Sequence, residues 1–141
     1  MIGARRTAAC LLLVGLGLAG SALGAGSWVG RAPAVNLGTP GRVTAAEPIT
    51  PPAGLRPGLI TSVSWRFRAP PGLPDLEAWL CHPRRCLPLT AARGRSDGLR
   101  GLPAREPLTL HFRLPRNAHA GAVRLTGLQV IVNYREPQKG K

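Results

Sequence analysis

Acidic residues are scarce in this chain: six Asp and Glu stand against 19 Lys and Arg in 141 residues. Aromatic residues are equally few, with three Trp, two Phe and one Tyr, and there are only three Cys and one Met. The shortage of carboxylates argues against a glycosidase-type pair of opposed acids, because Glu47, Asp75, Glu77, Asp97, Glu106 and Glu136 stand apart with no motif around them. No G-x-S-x-G occurs, no Gly-rich phosphate loop follows a strand pattern, and His82, His111 and His119 are isolated in sequence. The chain therefore reads as a non-enzyme, with no cofactor and no metal expected. The few aromatics do not interleave with a dense basic block, so a nucleic-acid platform is not expected either.

What is abundant is glycine and proline, 18 and 15 residues, set between short apolar runs without a G-X-Y period. That pattern excludes collagen and disfavours long helices. The length bounds the chain to one small domain with a single core.

One apolar run is longer than the rest. Arg5 and Arg6 precede Ala8 to Ala19, and Ser21, Ala22 and Gly24 place small residues behind it. This three-part order predicts a secretory signal peptide over residues 1–24, the run being shorter than the roughly 20 residues of a membrane span. Thr7 and Ala8 after the arginine pair disfavour a twin-arginine signal, and Cys10, at the start of the run, disfavours lipid anchoring. No stable membrane anchor is expected after cleavage. The remaining 117 residues lose only Arg5 and Arg6 and carry a formal charge of +11. Two readings of that charge stay open: a solvated surface, and a surface for anionic partners outside the cytoplasm.

After processing, Cys81 and Cys86 are the remaining cysteines, spaced C-x4-C around His82-Pro83-Arg84-Arg85. In an oxidising compartment the pair is expected to form a disulfide across a tight hairpin turn that Pro83 favours. A metal alternative would recruit His82 or His111, but zinc needs four ligands.

Along the mature chain, 26–38 contains a first strand opening near Trp28. Residues 39–58 are a Pro-rich loop, either a surface connection or an extended segment packed along an edge. Val63, Trp65 and Phe67 then alternate with Ser62, Ser64, Arg66 and Arg68, the period of a half-buried strand. Leu76, Ala78 and Leu80 alternate in the next run, and Cys86 to Leu89 continues as its hairpin partner. Residues 90–103, turn-rich and basic, read as a mobile loop. Leu108, Leu110, Phe112 and Leu114 form another alternating strand. The last runs from Gly121 to Arg135 with a break at Gly127. Five to seven short strands predict an all-β fold, a small antiparallel β-sandwich of immunoglobulin-like or related type over residues 25–135, with 136–141 a disordered basic tail.

Candidate contact residues follow from the strand faces. Arg66 and Arg68 share one face, Arg113 lies on another strand, and Asn133, Tyr134 and Arg135 end the last strand with hydrogen-bonding groups. Trp65 and Tyr134 read as core. Trp79, out of phase with Leu76, Ala78 and Leu80, has no assigned face.

In order, the leader, Trp28, Val63-Ser64-Trp65-Arg66-Phe67, Leu80-Cys81-x4-Cys86-Leu87, Pro103-Ala104-x-Glu106-Pro107-Leu108 and Gln129-Val130-Ile131-Val132-Asn133-Tyr134-Arg135 resemble the small periplasmic flagellar family called FlhE. The resemblance runs from about Leu59 to Arg135 and departs from the family pattern in the Pro40–Pro57 stretch, the arginine content and the tail. It implies a periplasmic, non-enzymatic accessory of flagellar assembly and swarming, a chaperone or regulator of the export apparatus. Implied partners are flagellar rod or export-apparatus proteins. It also implies a structural disulfide between Cys81 and Cys86, with Asn133, Tyr134 and Arg135 as the end that meets a partner.

Overall fold

The structure, a computed structural model, describes Gly3 and residues 24–73, 75–118 and 121–137. Apart from Gly3 and Gly24 the expected leader falls outside these residues, as do residues 138–141 of the expected tail and His119. Every regular element among the described residues is a strand. In chain order they are β1 (Ala25–Ala32), β2 (Val35–Leu37), β3 (Val43–Ala45), β4 (Leu59–Arg68), β5 (Glu77–His82), β6 (Arg85–Leu89), β7 (Arg93–Ser96), β8 (Thr109–Arg113) and β9 (Val123–Arg135).

They form two antiparallel sheets. The first has the order β1-β9-β4-β7, with β2 also pairing the start of β9, and the second has the order β3-β8-β5-β6. β9 is the spine of the first sheet: 13 residues long, it pairs β4 on one side and both β1 and β2 on the other. Such an arrangement of amphipathic strands buries one face of each sheet against the other.

The alternation of β4 holds, with Val63, Trp65 and Phe67 buried and Arg66 and Arg68 exposed. Its start changes phase, because the register slips between Ile60 and Ser62 opposite Tyr134 and Asn133. Thr61 is the extra residue of a bulge, and one extra residue moves the following side chains to opposite faces. Ile60 therefore points into the core while Ser62 joins Ser64 on the outer face. In β9 the break at Gly127 is a second bulge: Arg66 pairs Gln129 but Arg68 pairs Thr126, and Gly127 takes φ +63°. That backbone conformation favours glycine and keeps Val123, Leu125, Leu128, Val130 and Val132 all on the core side.

The core lies between the sheets. Trp28, Ile60, Val63, Trp65, Phe67, Val130 and Val132 face Ala78, Leu80, Leu89, Leu110 and Phe112. Trp28 donates its indole N–H to the Ala104 carbonyl at 3.1 Å, and Trp65 donates to Ala91 at 2.9 Å, so both polar edges are satisfied inside.

Two segments with weak strand signals prove to be built in. The Pro-rich stretch takes the packed alternative: β3 pairs β8, Ile49 exchanges backbone hydrogen bonds with Leu108, and Ile49 is buried. Residues 90–103, expected as a mobile loop, instead supply β7 as an edge of the first sheet and bury Leu99 and Leu102. Leu102 accepts from the Ile60 N–H, and Ile60 accepts from the Gly101 N–H. β7 lacks apolar alternation because its inward positions, opposite Trp65 and Val63, hold Gly94 and Ser96. A Cβ on Gly94 would lie 2.4 Å from the Trp65 ring, so the ring occupies the space a side chain would need. β2, β3 and β7 together raise the strand count among the described residues to nine, above the five to seven read from periodicity.

Candidate functional site

The two outer faces of the sandwich differ in charge. The strands of the first sheet carry Arg31, Arg66, Arg68, Arg93, Arg95, Arg124 and Arg135 and no Asp or Glu. Register sets out the pattern: Arg31, Gln129, Arg66 and Arg93 make one row across β1, β9, β4 and β7, and Val29, Ile131, Ser64 and Arg95 make the next. Val29 is 52% exposed at the β1 edge. A groove lined by Ser64, Trp65, Arg66, Arg93, Gly94, Gln129 and Ile131 crosses these rows.

The second sheet is close to neutral on its outer face. Glu77 and Arg113 lie opposite each other and form a hydrogen-bonded ion pair, and the Arg113 guanidinium sits 5.4 Å from the centroid of the Trp79 ring. The Arg113 hydrogen bond above all, with a lesser help from its charge, holds the Glu77 carboxyl below its ordinary range against the opposing effect of desolvation; Glu77 in turn raises Arg113. Trp79 is thus half-buried on the outer side, shielded by Arg113, while Ala78 and Leu80 face the core.

Cys81 and Cys86 are cross-strand partners in the β5–β6 hairpin and are joined as a disulfide with the sulfurs 2.04 Å apart. Neither thiolate is therefore available to a metal. His82 continues the inward parity of Ala78 and Leu80 and is buried at the end of β5. Its Nδ1 accepts the Arg84 N–H at 3.2 Å, which leaves Nε2 to donate to the Pro103 carbonyl at 3.0 Å, with the Glu106 carboxylate 3.5 Å away. The imidazole ties the hairpin to the segment before β8. Sequence reading placed His82 only in the turn; the parity of the two preceding core residues was the signal for its burial.

The site residues drawn from the sequence divide by position. Arg66 and Arg68 are together on the basic face. Asn133 and Arg135 share that face at its far end, where Asn133 donates to Ser62 Oγ at 3.0 Å. Tyr134 between them turns inward and is half-buried. Its ring lies over Gly26 and Gly58, whose hypothetical Cβ atoms would approach it to 2.6 and 2.7 Å. The residues at this end that sequence reading missed are Ser62, Arg95 and Arg100. The β4–β7 pairing brings Arg95 beside Asn133 at Ser62, and the turn after β7, held by Ile60, brings Arg100 to the same depression as Arg135.

Residues 34–135 match the family model described as Flagellar protein FlhE. The chain belongs to the FlhE family. Flagellar protein FlhE of Yersinia enterocolitica is 34% identical over 135 residues, 93% of this chain and 96% of that protein. Flagellar protein FlhE of Escherichia coli (strain K12) is 30% identical over 118 residues, 81% of this chain and 88% of that protein. A crystal structure of FlhE aligns with a TM-score of 0.70 at 30% identity, over 80% of this chain and 99% of the other. The FlhE match reaches back to residue 34 and so includes the Pro-rich stretch that the residue-by-residue resemblance left aside. Cys81, Cys86, Arg66, Arg68, Asn133, Tyr134 and Arg135 all lie within it.

Proposed function

We propose that the chain is a periplasmic, non-catalytic accessory of flagellar assembly, acting as a chaperone or regulator of the export apparatus and supporting swarming. The observation that carries this reading is the FlhE family match over 34–135. The leader pattern and the Cys81–Cys86 disulfide support export to an oxidising compartment. In this reading flagellar rod or export-gate proteins meet the basic face of the first sheet, whose arginines suit an acidic partner surface and speed encounter with it. Control of proton leak through the gate is the regulatory form of the same role.

The test is a crosslinking pull-down of the tagged mature protein from the periplasm of motile source cells, together with deletion of its gene. Recovery of rod, ring or export-gate proteins, with impaired flagella or swarming in the deletion strain, is the expected result. Normal flagella, swarming and proton tightness after deletion would overturn it.

A second reading, an exported module for an anionic wall polymer, draws on the seven arginines of the first sheet. It requires retention on purified peptidoglycan at physiological salt. Loss at modest salt marks screened, diffuse attraction.

A further inference from the structure

At one end of the basic face the sheet is locally deformed and opens a depression of about 550 Å³. Thr61, Ser62, Arg95, Ser96, Asp97, Arg100 and Arg135 line it. The Thr61 bulge turns Ser62 to this side, where it is only 7% exposed. Ser62 Oγ accepts from Arg95 at 3.1 Å and from Asn133 at 3.0 Å. With both lone pairs engaged, the hydroxyl proton remains as a donor at the floor. The far wall is a fixed turn: Ser96 Oγ accepts the Gly98 N–H at 3.0 Å, and Asp97 O accepts the Arg100 N–H at 2.9 Å.

Three arginines thus line one depression, and the Arg95 guanidinium is fixed on Ser62 Oγ. Among the described residues none of them is within ion-pair distance of a carboxylate, since the salt bridges present are Arg56–Glu136, His82–Glu106 and Arg113–Glu77. Asp97 on the rim offsets one charge and leaves two uncompensated. Planar guanidinium forks together with a hydroxyl donor match the oxygens of an oxyanion. The residual double charge matches a dianion better than a single carboxylate.

We infer that this depression is a binding site for a dianionic phosphate group, held by Arg95, Arg100 and Arg135 with the Ser62 hydroxyl beneath it. The group belongs either to a soluble phosphate compound or to a phosphomonoester headgroup, which present the same chemistry. The site is independent of the flagellar reading, because it rests on the charges and hydrogen bonds of one sheet end.

The test is an NMR titration of the mature protein with inorganic phosphate at constant ionic strength and about pH 8, where phosphate is a dianion. Saturable shifts at Ser62, Asn133 and the arginine Nε–H groups are expected, with chloride producing none. Arg100→Ala and Arg135→Ala, both at exposed positions, weaken binding about tenfold, the usual consequence of losing a charged hydrogen bond. Arg31→Ala removes the same charge from the same face away from the depression and changes affinity less than about twofold. Vesicles containing a phosphomonoester lipid form the second arm: retention abolished by Arg100→Ala assigns the site to a headgroup, and phosphate binding without retention assigns it to a soluble ligand. Equal losses in Arg31→Ala and Arg100→Ala, unsaturable shifts, or saturation by acetate but not by phosphate would each overturn the inference.

Discussion

Phe67 of the first sheet and Phe112 of the second meet edge to face, their ring centroids 5.1 Å apart and their planes at 77°. This is the favourable geometry for two aromatic quadrupoles, and it joins the two sheets across the core. Phe112 is fully buried. Phe112→Ala should therefore cost about 3–5 kcal/mol of stability, read as a lowered denaturant midpoint with little change in slope. A cost below about 1 kcal/mol would mean that the sheets do not pack through this pair.

The close approach of Gly94 to Trp65 gives a second expectation. Gly94→Val puts a side chain where the indole now lies and should destabilise by about 1–3 kcal/mol as β7 is pushed from the sheet. Trp65 fluorescence should shift to the red, and amide exchange should quicken at 93–96. Gly54→Ala, at a glycine with open space around it, serves as a contrast in packing; its loss should come from the backbone alone, because Gly54 has φ +81°.

The disulfide closes a short hairpin loop whose strands already pair. Removing it as the double substitution Cys81→Ser, Cys86→Ser should lower stability by about 2 kcal/mol while the fold persists. Thiol titration of oxidised protein lacking residues 1–24 should find neither Cys81 nor Cys86 free. Two titratable thiols would remove the bond and with it the argument for an oxidising compartment.

For Glu77 the folded-state pKa lies below its ordinary value, through the Arg113 hydrogen bond above all, which outweighs desolvation, with the Arg113 charge adding a lesser contribution. A carboxylate depressed in the folded state contributes stability above its unfolded pKa and loses it as pH falls through the folded value. Glu77→Gln should therefore lower the Tm slightly at neutral pH, and the gap should close in acid, below about pH 4. The pair is solvent-exposed, so added salt should shrink the gap as well. A gap independent of pH would assign the loss to packing on Trp79 instead of charge.

Much of the fold was legible because large side chains alternate in the long strands. Val63, Trp65 and Phe67, then Leu108, Leu110, Phe112 and Leu114, then Leu128, Val130 and Val132 announce their inner faces by period two. Gly127 announced its bulge as a break in that period. The short strands were silent. β7 reads Arg-Gly-Arg-Ser because its core-facing position opposite Trp65 must stay empty and the one opposite Val63 holds Ser96, and β3 lies in a stretch whose prolines mask three paired residues. Of the basic face, Arg66 and Arg68 were legible from one strand. Arg31, Arg93 and Arg95 were not, since their neighbours come from β1 and β7, far away in the chain.

The amino-acid sequence by itself determined the all-β class, the cysteine pairing and the excess of positive charge, because each depends on composition or on residues within a few positions of one another. Only the tertiary structure decided how that charge is distributed. It gathered arginines from β1, β4, β7 and β9 on one face, paired Arg113 with Glu77 on the other, and turned Ser62 into a cationic depression through one extra residue in β4. Those outcomes depend on sheet order and register, which arise from contacts between segments distant in sequence and leave no local period to read.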